Sequence, residues 1–280
     1  MRPGQPSQTA SAVALLRALG DIGLSHVPEF HDATARRMLA PRWSRQLARA
    51  EKRMNHGGRS TMLEVTRHGA DMVVLRTLII DAYVRDALAN GARQLVIVGA
   101  GLDGRAYRMP ELATVDVFEV DHPSTQTFKR ERVTGLALSA KSVTFVSVDF
   151  ERETLDEKLT GAGHRADEST VWLWEGVVMY LTRDAARATL RSIVRLSAAR
   201  STLIVNYHTR ARSFLMNMVL RFWSEPQIGY FEPETIAAEL AGVGFQVAED
   251  TSTVDWAARF HVAFSRFRPA DPARVVVARR

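Results

Sequence analysis

Near residue 90 the spacing of apolar residues changes from helical to strand-like. Upstream, ASAVALLRALG (10–20) carries apolar positions at helical spacing, and HDATARRMLAP (31–41) continues the pattern as far as Pro41. Gly57 and Gly58 interrupt it. A long helical stretch then runs from Met62 to Ala89 and stops at Asn90-Gly91, a good helix terminator. Downstream come short apolar runs rich in β-branched residues: 94–99, 115–121, 142–149, 170–175 and 202–208. Helical patterns separate most of them, DAARATLRSIVRLSAA (184–199) most clearly. Alternation of this kind predicts a doubly wound, mostly parallel sheet. The end of the chain differs. A helix over 232–245 precedes FQVAED (245–250) and RFHVAFSRF (259–267), read as a strand pair on a short connection, its last strand antiparallel to the rest. Residues 213–231 are rich in aromatics and methionine, break the rhythm, and are read as a cap insertion. The expected organisation is one domain, 1–280, with a helical N-terminal extension (1–92), a core (93–212 and 232–280) and the cap (213–231).

Composition narrows the chemistry. The 280 residues contain no cysteine, which excludes disulfides, thiolate metal sites and cysteine nucleophiles. No apolar run approaches the roughly 20 residues that span a bilayer, and MRPGQPSQTA has no signal-peptide core. A cytoplasmic protein without membrane insertion is expected. The net charge of +6 comes from arginines spread along the chain and from a basic tail, RVVVARR (274–280), rather than from a cluster interleaved with aromatics. No nucleic-acid partner is expected. The eight histidines show no paired metal-ligand spacing, so no metal is expected.

The candidate chemistry starts at LVIVGAGLDGRAYRM (95–109), where Gly99, Gly101 and Gly104 spell G-x-G-x-x-G between a strand and a helix. Glu119 and Asp121 end the next strand, where an acid meets ribose hydroxyls. A nicotinamide dinucleotide fits poorly. About 90 helical residues precede the first strand, and Asp103 and Arg105 are awkward in a loop that must cradle pyrophosphate. S-adenosyl-L-methionine, a nucleoside without phosphates, tolerates them better.

Several blocks in order, LRTLIID (75–81), QLVIVGAGLDGRAYRM (94–109), VFEVDHP (117–123) with Lys129 following, VSVDF (146–150) and WEGVVMYL (174–181), resemble the leucine carboxyl methyltransferase-like family, in its bacterial branch abundant in actinomycetes. The resemblance covers most of the chain. It implies a class I methyltransferase Rossmann-like fold, S-adenosyl-L-methionine as cofactor and S-adenosyl-L-homocysteine as product. It implies that Arg76 binds the cofactor's carboxylate, that Gly99 and Gly101 pass close to its amino acid part, that Asp121 binds the ribose, with Glu119 the rival, and that Asp149 and Phe150 meet the adenine. Asp103 is read as a cofactor-loop residue oriented with Arg105. Gly104 departs from the threonine common in the family, so the third glycine of the motif is read as accidental and as serving packing. The glutamate matching Glu175 contacts the cofactor in the family, and a catalytic role is open beside it.

Other candidates rest on position. Tyr180, with Met179, follows the fourth strand. His208 ends the fifth, near the expected acceptor pocket, as a candidate general base. His122 is the other histidine near the loops. Trp223, Tyr230 and Phe231 form a candidate acceptor wall, although aromatics at helical spacing are also ordinary core. The expected reaction is O-methylation of a carboxylate or hydroxyl on a small, apolar or aromatic secondary metabolite, by a monomer or homodimer. An NAD(P)-dependent oxidoreductase would need a set such as Tyr-x-x-x-Lys, which Tyr180 does not supply. An inactive cofactor-binding module is the other alternative.

Overall fold

Side-chain alternation along the strands decides the layers. In β1 (Gln94–Val98) and β4 (Thr170–Trp174) every residue is buried. Leu95, Ile97, Val171 and Leu173 face one core, while Val96, Val98, Trp172 and Trp174 face the other. The computed structural model describes residues 7–27, 30–56, 61–148, 153–209, 228–263 and 273–280. Its remaining strands are β2 (Asp116–Asp121), β3 (Ser142–Ser147), β5 (Thr202–His208), β6 (Gln246–Ser252) and β7 (Ala273–Arg279). They form a seven-stranded sheet in the order β3-β2-β1-β4-β5-β7-β6. Strands β1 to β5 run parallel, and β7 is antiparallel to both of its neighbours. The strand order reverses between β1 and β4. A crevice at a carboxyl edge of this kind is where open α/β sheets bind ligands.

The helices are α1 (Gln8–Asp21), α2 (Ala33–Arg37), α3 (Pro41–Asn55), α4 (Thr61–Ala89), α5 (Arg105–Arg108), α6 (Pro123–Val133), α7 (Leu155–Gly161), α8 (Arg183–Arg195), α9 (Pro233–Ala241) and α10 (Thr253–Arg259). Helix α4 lies on the Leu95 face together with Trp256 of α10, and α7, α8 and α9 cover the opposite face. Among the described residues no helix is long and apolar enough to cross a membrane.

The C-terminal strand pair needs correction. Residues 253–259 are helical, because Ser252 and Asp255 close a reciprocal capping box that starts α10. The last strand is instead ARVVVAR, within the segment read as a basic tail. Val275 and Val277 enter one core and Val276 the other, and the arginines sit near the strand's ends. A run buried on both faces loses the alternation that advertises a strand; of the strand expected over 259–267, residues 259–263 form none and 264–267 lie outside the described residues. Pro41 also opens α3 at its first turn rather than simply ending a helix. The cap expected over 213–231, including Trp223, lies outside the described residues except for 228–231.

The N-terminal helices pack on the glycine loop through a third core. Ala14, Leu15, Ala18 and Leu19 of α1 meet Met38, Trp43 and Leu47 there, and Leu102 of the loop joins them. Asp32 caps α2 by accepting from the Ala35 N–H at 3.1 Å. A Cβ on Gly104 would overlap Thr34 Oγ1, so the third glycine serves packing, against the N-terminal extension. Gly104→Ala is therefore expected to lower the unfolding free energy by about 1–3 kcal/mol. Thr34→Ala in the same chain should recover most of that loss in urea melts. Equal losses in both backgrounds would contradict the steric account.

Candidate functional site

Four loops at the carboxyl edge converge: Gly99–Gly104 after β1, His122 after β2, Glu175–Leu181 after β4, and the end of β5 at His208. Gly99 (φ +72°) and Gly101 (φ +51°) hold left-handed backbone conformations that a side chain would strain. Gly99 and Ala100 donate to the Val120 carbonyl at 2.8 and 2.9 Å, which ties the loop to β2. Asp121 completes the tie. Its Oδ2 accepts from the Gly101 N–H at 2.5 Å and its Oδ1 from the His122 N–H at 2.6 Å. Each oxygen keeps a further lone pair. Burial lifts this carboxyl above its ordinary range, although the two backbone donors oppose the lift.

Glu119 is two residues away and shares the face of Asp121, but it is sealed in. It accepts from Lys129 Nζ, and both residues are at most 1% exposed. Burial raises the Glu119 carboxyl to about 7 against the pull of Lys129. Of the two acids, only Asp121 retains access to the crevice.

Arg76 and Glu175 meet across the edge. Arg76, in the middle of α4, donates from Nε to Glu175 Oε1 at 2.8 Å. That is the guanidinium's one hydrogen bond among the described residues, so both terminal nitrogens remain available, and the side chain is 12% exposed. Glu175 Oε2 accepts from Arg105 Nη1 at 2.9 Å. Arg105 also bonds Asp103 from its backbone N–H, at 2.7 Å, and from Nη1. Burial would raise the Asp103 carboxyl, but the cations Arg105, Lys129 and Arg17 outweigh it and hold it at about 2. Asp103 is thus committed to Arg105.

Residues missed in the sequence complete the network. Asp81 of α4 accepts from Arg105 Nε at 2.7 Å and from Arg108 at 2.6 and 3.0 Å. Asp32 lies 3.6 Å from Arg108 Nε and 3.5 Å from Arg17 Nε, and Arg17 donates to the Leu102 carbonyl at 2.5 Å. The available signal was an acid at a core position: Asp81 follows Ile79 and Ile80 in an apolar helical run.

At the β4–β5 end of the edge, Ile228 and Gly229 donate to the Met179 carbonyl at 2.8 and 2.9 Å, and Phe231 donates to the His208 carbonyl at 3.1 Å. Residues 228–231 therefore stitch the Tyr180 turn to the end of β5. Phe231 is buried in the core with Val178 and Ile236. His208 and Tyr180 are half-buried. His122 caps α6, its Nδ1 accepting from the Ser124 N–H at 3.2 Å. Asp149 and Phe150 lie outside the described residues.

The depressed Asp103 carboxyl gives a pH test. A carboxyl held at about 2 in the fold, against about 3.9 when unfolded, stabilises fully above pH 4 and loses that contribution as pH falls towards 2. The stability gap between the wild type and Asp103→Asn should narrow by about 2 kcal/mol over that range in chemical denaturation. A gap constant with pH would remove Asp103 from the charge network.

The family model for leucine carboxyl methyltransferase matches residues 10–194. A candidate S-adenosyl-L-methionine-dependent methyltransferase of Mycobacterium avium is 33% identical over 260 residues, covering 85% of this chain and 79% of the relative. A counterpart from Mycobacterium marinum is 40% identical over 134 residues, 48% of this chain and only 43% of the relative's own length. The crystal structure of a candidate methyltransferase from Thermobifida fusca covers 99% of this chain and 96% of its own, with a TM-score of 0.61 at 15% identity, a likeness of fold. The chain belongs to the leucine carboxyl methyltransferase family, and its cofactor is S-adenosyl-L-methionine.

Proposed function

We propose that the protein methylates a carboxylate or hydroxyl oxygen of a small apolar or aromatic acceptor. When bound, S-adenosyl-L-methionine would supply a sulfonium methyl whose carbon the acceptor oxygen attacks in line, the O–C bond forming as the C–S bond breaks and S-adenosyl-L-homocysteine leaves. The single observation that carries the cofactor placement is Arg76: tied at Nε by Glu175, with both terminal nitrogens unengaged, it is a fork for a carboxylate. Asp121 takes the ribose hydroxyls on its spare lone pairs. Gly99 and Gly101 bring the backbone close to the amino acid end. Asp149 and Phe150 meet the adenine, a role that rests on sequence alone.

Glu175 is read as a binding residue rather than a base, because an arginine already engages each of its oxygens. It orients Arg76 and offers spare lone pairs to the cofactor's ammonium. A carboxylate acceptor arrives ionised and needs no base. For a hydroxyl acceptor, His208 and Tyr180 flank the stitched loops and are the residues to supply or orient a base. The apolar character of the acceptor rests on the aromatic- and methionine-rich composition of residues 213–231. The chain is read as one unit, with its extension (1–92) and a cap (213–231) added to the core.

Calorimetric titration of the purified protein tests the placement. S-adenosyl-L-homocysteine should bind with a Kd on the order of micromolar, and NAD and NADP should not. Arg76→Ala and Asp121→Ala should each weaken it by roughly 10- to 100-fold, the range expected for a charge-assisted hydrogen bond. Nicotinamide binding in its place would overturn the reading. Methyl-labelled cofactor and an acceptor panel then separate the chemistries. A carboxyl product releases labelled methanol in base, a methyl ether does not, and an N-methyl product would refute O-transfer.

A further inference from the structure

The mechanism above uses Arg76 and Glu175 but leaves Arg105 unassigned. Arg105 is 1% exposed and cannot touch a ligand in the crevice. Its guanidinium nevertheless joins three elements: Nε to Asp81 on α4, and Nη1 to both Asp103 of the glycine loop and Glu175 after β4. Asp81 and Arg76 lie five residues apart on the same helix. The contacts therefore close a ring, from Arg76 to Glu175, to Arg105, to Asp81, and back through α4 to Arg76. Exposure falls around it, from 12% at Arg76 and 15% at Glu175 to 1% and 2% at Arg105 and Asp81. The ring is rooted in the core and opens at Arg76. Arg108 makes two bonds to Asp81 and fixes the root.

We propose that Arg105 is a positioning residue for cofactor binding: it holds the Glu175 carboxylate against Arg76 Nε and so aims the Arg76 fork at the cofactor's carboxylate. The inference rests on the cofactor reading above. A lysine at 105 keeps the charge, but it is a single point donor and cannot hold Asp81, Asp103 and Glu175 in fixed directions together. With Glu175 free to rotate, Arg76 loses its orientation, and only the amino acid end of the cofactor feels the change. The adenosine end, at Asp121, does not.

The test compares two nucleosides on the full chain. S-adenosyl-L-homocysteine carries the amino acid end, and 5'-methylthioadenosine lacks it. Arg105→Lys should weaken the first by about tenfold or more, the scale of one charge-assisted hydrogen bond, and leave the second within about twofold of wild type. A role confined to the fold would lower both affinities together. Unchanged binding of S-adenosyl-L-homocysteine, or parallel loss of both nucleosides, overturns the proposal. Should Arg105→Lys fail to fold, isosteric Asp81→Asn releases the Nε end of Arg105 without approaching the crevice, and the same selective loss or its absence decides. Wild-type protein that binds neither nucleoside would overturn the cofactor reading and this inference with it. Wild-type binding with an unaltered variant would overturn this inference alone.

Discussion

A permanently charged guanidinium buried at Arg105 is the constraint to which the site is fitted. Arginine does not shed its proton, so the charge must be met where it lies. Three carboxylates meet it, and their excess is balanced in turn by Arg76, Arg108 and, through Asp32, Arg17. Arg17, Arg76, Arg105 and Arg108 stand against Asp32, Asp81, Asp103 and Glu175, and the formal charges cancel. Such a network contributes little net stability compared with an apolar core, but removing one member typically costs about 3–5 kcal/mol because it strands the others. Strand β4, helix α4, the glycine loop and the N-terminal helices are thereby held in one relative arrangement.

That neutrality suits the ligand. A pyrophosphate would bring negative charge to a loop already flanked by Asp103 and Asp121. In the proposed placement, Arg76 beside Glu175 presents one charge of each sign to the amino acid end of S-adenosyl-L-methionine, which brings one of each. The sequence argument that Asp103 and Arg105 spoil a phosphate cradle has its structural counterpart here: the two residues are paired with each other and withdrawn from the crevice.

Sequence reading reached what local pattern encodes. The strands through β5, the long helix α4 and the glycine loop all announce themselves by period, by turn chemistry or by family blocks. What it missed depends on distant parts of the chain meeting. Asp32, Arg17 and Arg108 look like surface charges, and Asp81 is a core-position acid with no partner in view, until four segments come together. Gly104 is explained by Thr34, seventy residues earlier. Strand β7 hid because burial on both faces erased its alternation and its terminal arginines resembled a tail. Glu119 and Asp121 share a strand face, and only their depth in the fold separates the sealed acid from the open one.

The position of β7 sets an order of events at the ribosome. Strand β5 ends at residue 208, yet its outer neighbour is made from residues 273–279, and β6 joins the sheet only through that same strand. Synthesis proceeds at roughly 5–20 residues per second. For several seconds the nascent chain therefore carries a nearly complete parallel sheet with the N–H and C=O groups along the β5 edge unpaired. An edge of that kind invites pairing with other chains. The carboxyl edge can take shape early, while protection from aggregation arrives only with the last valines, which makes this the interval in which a chaperone has most to cover.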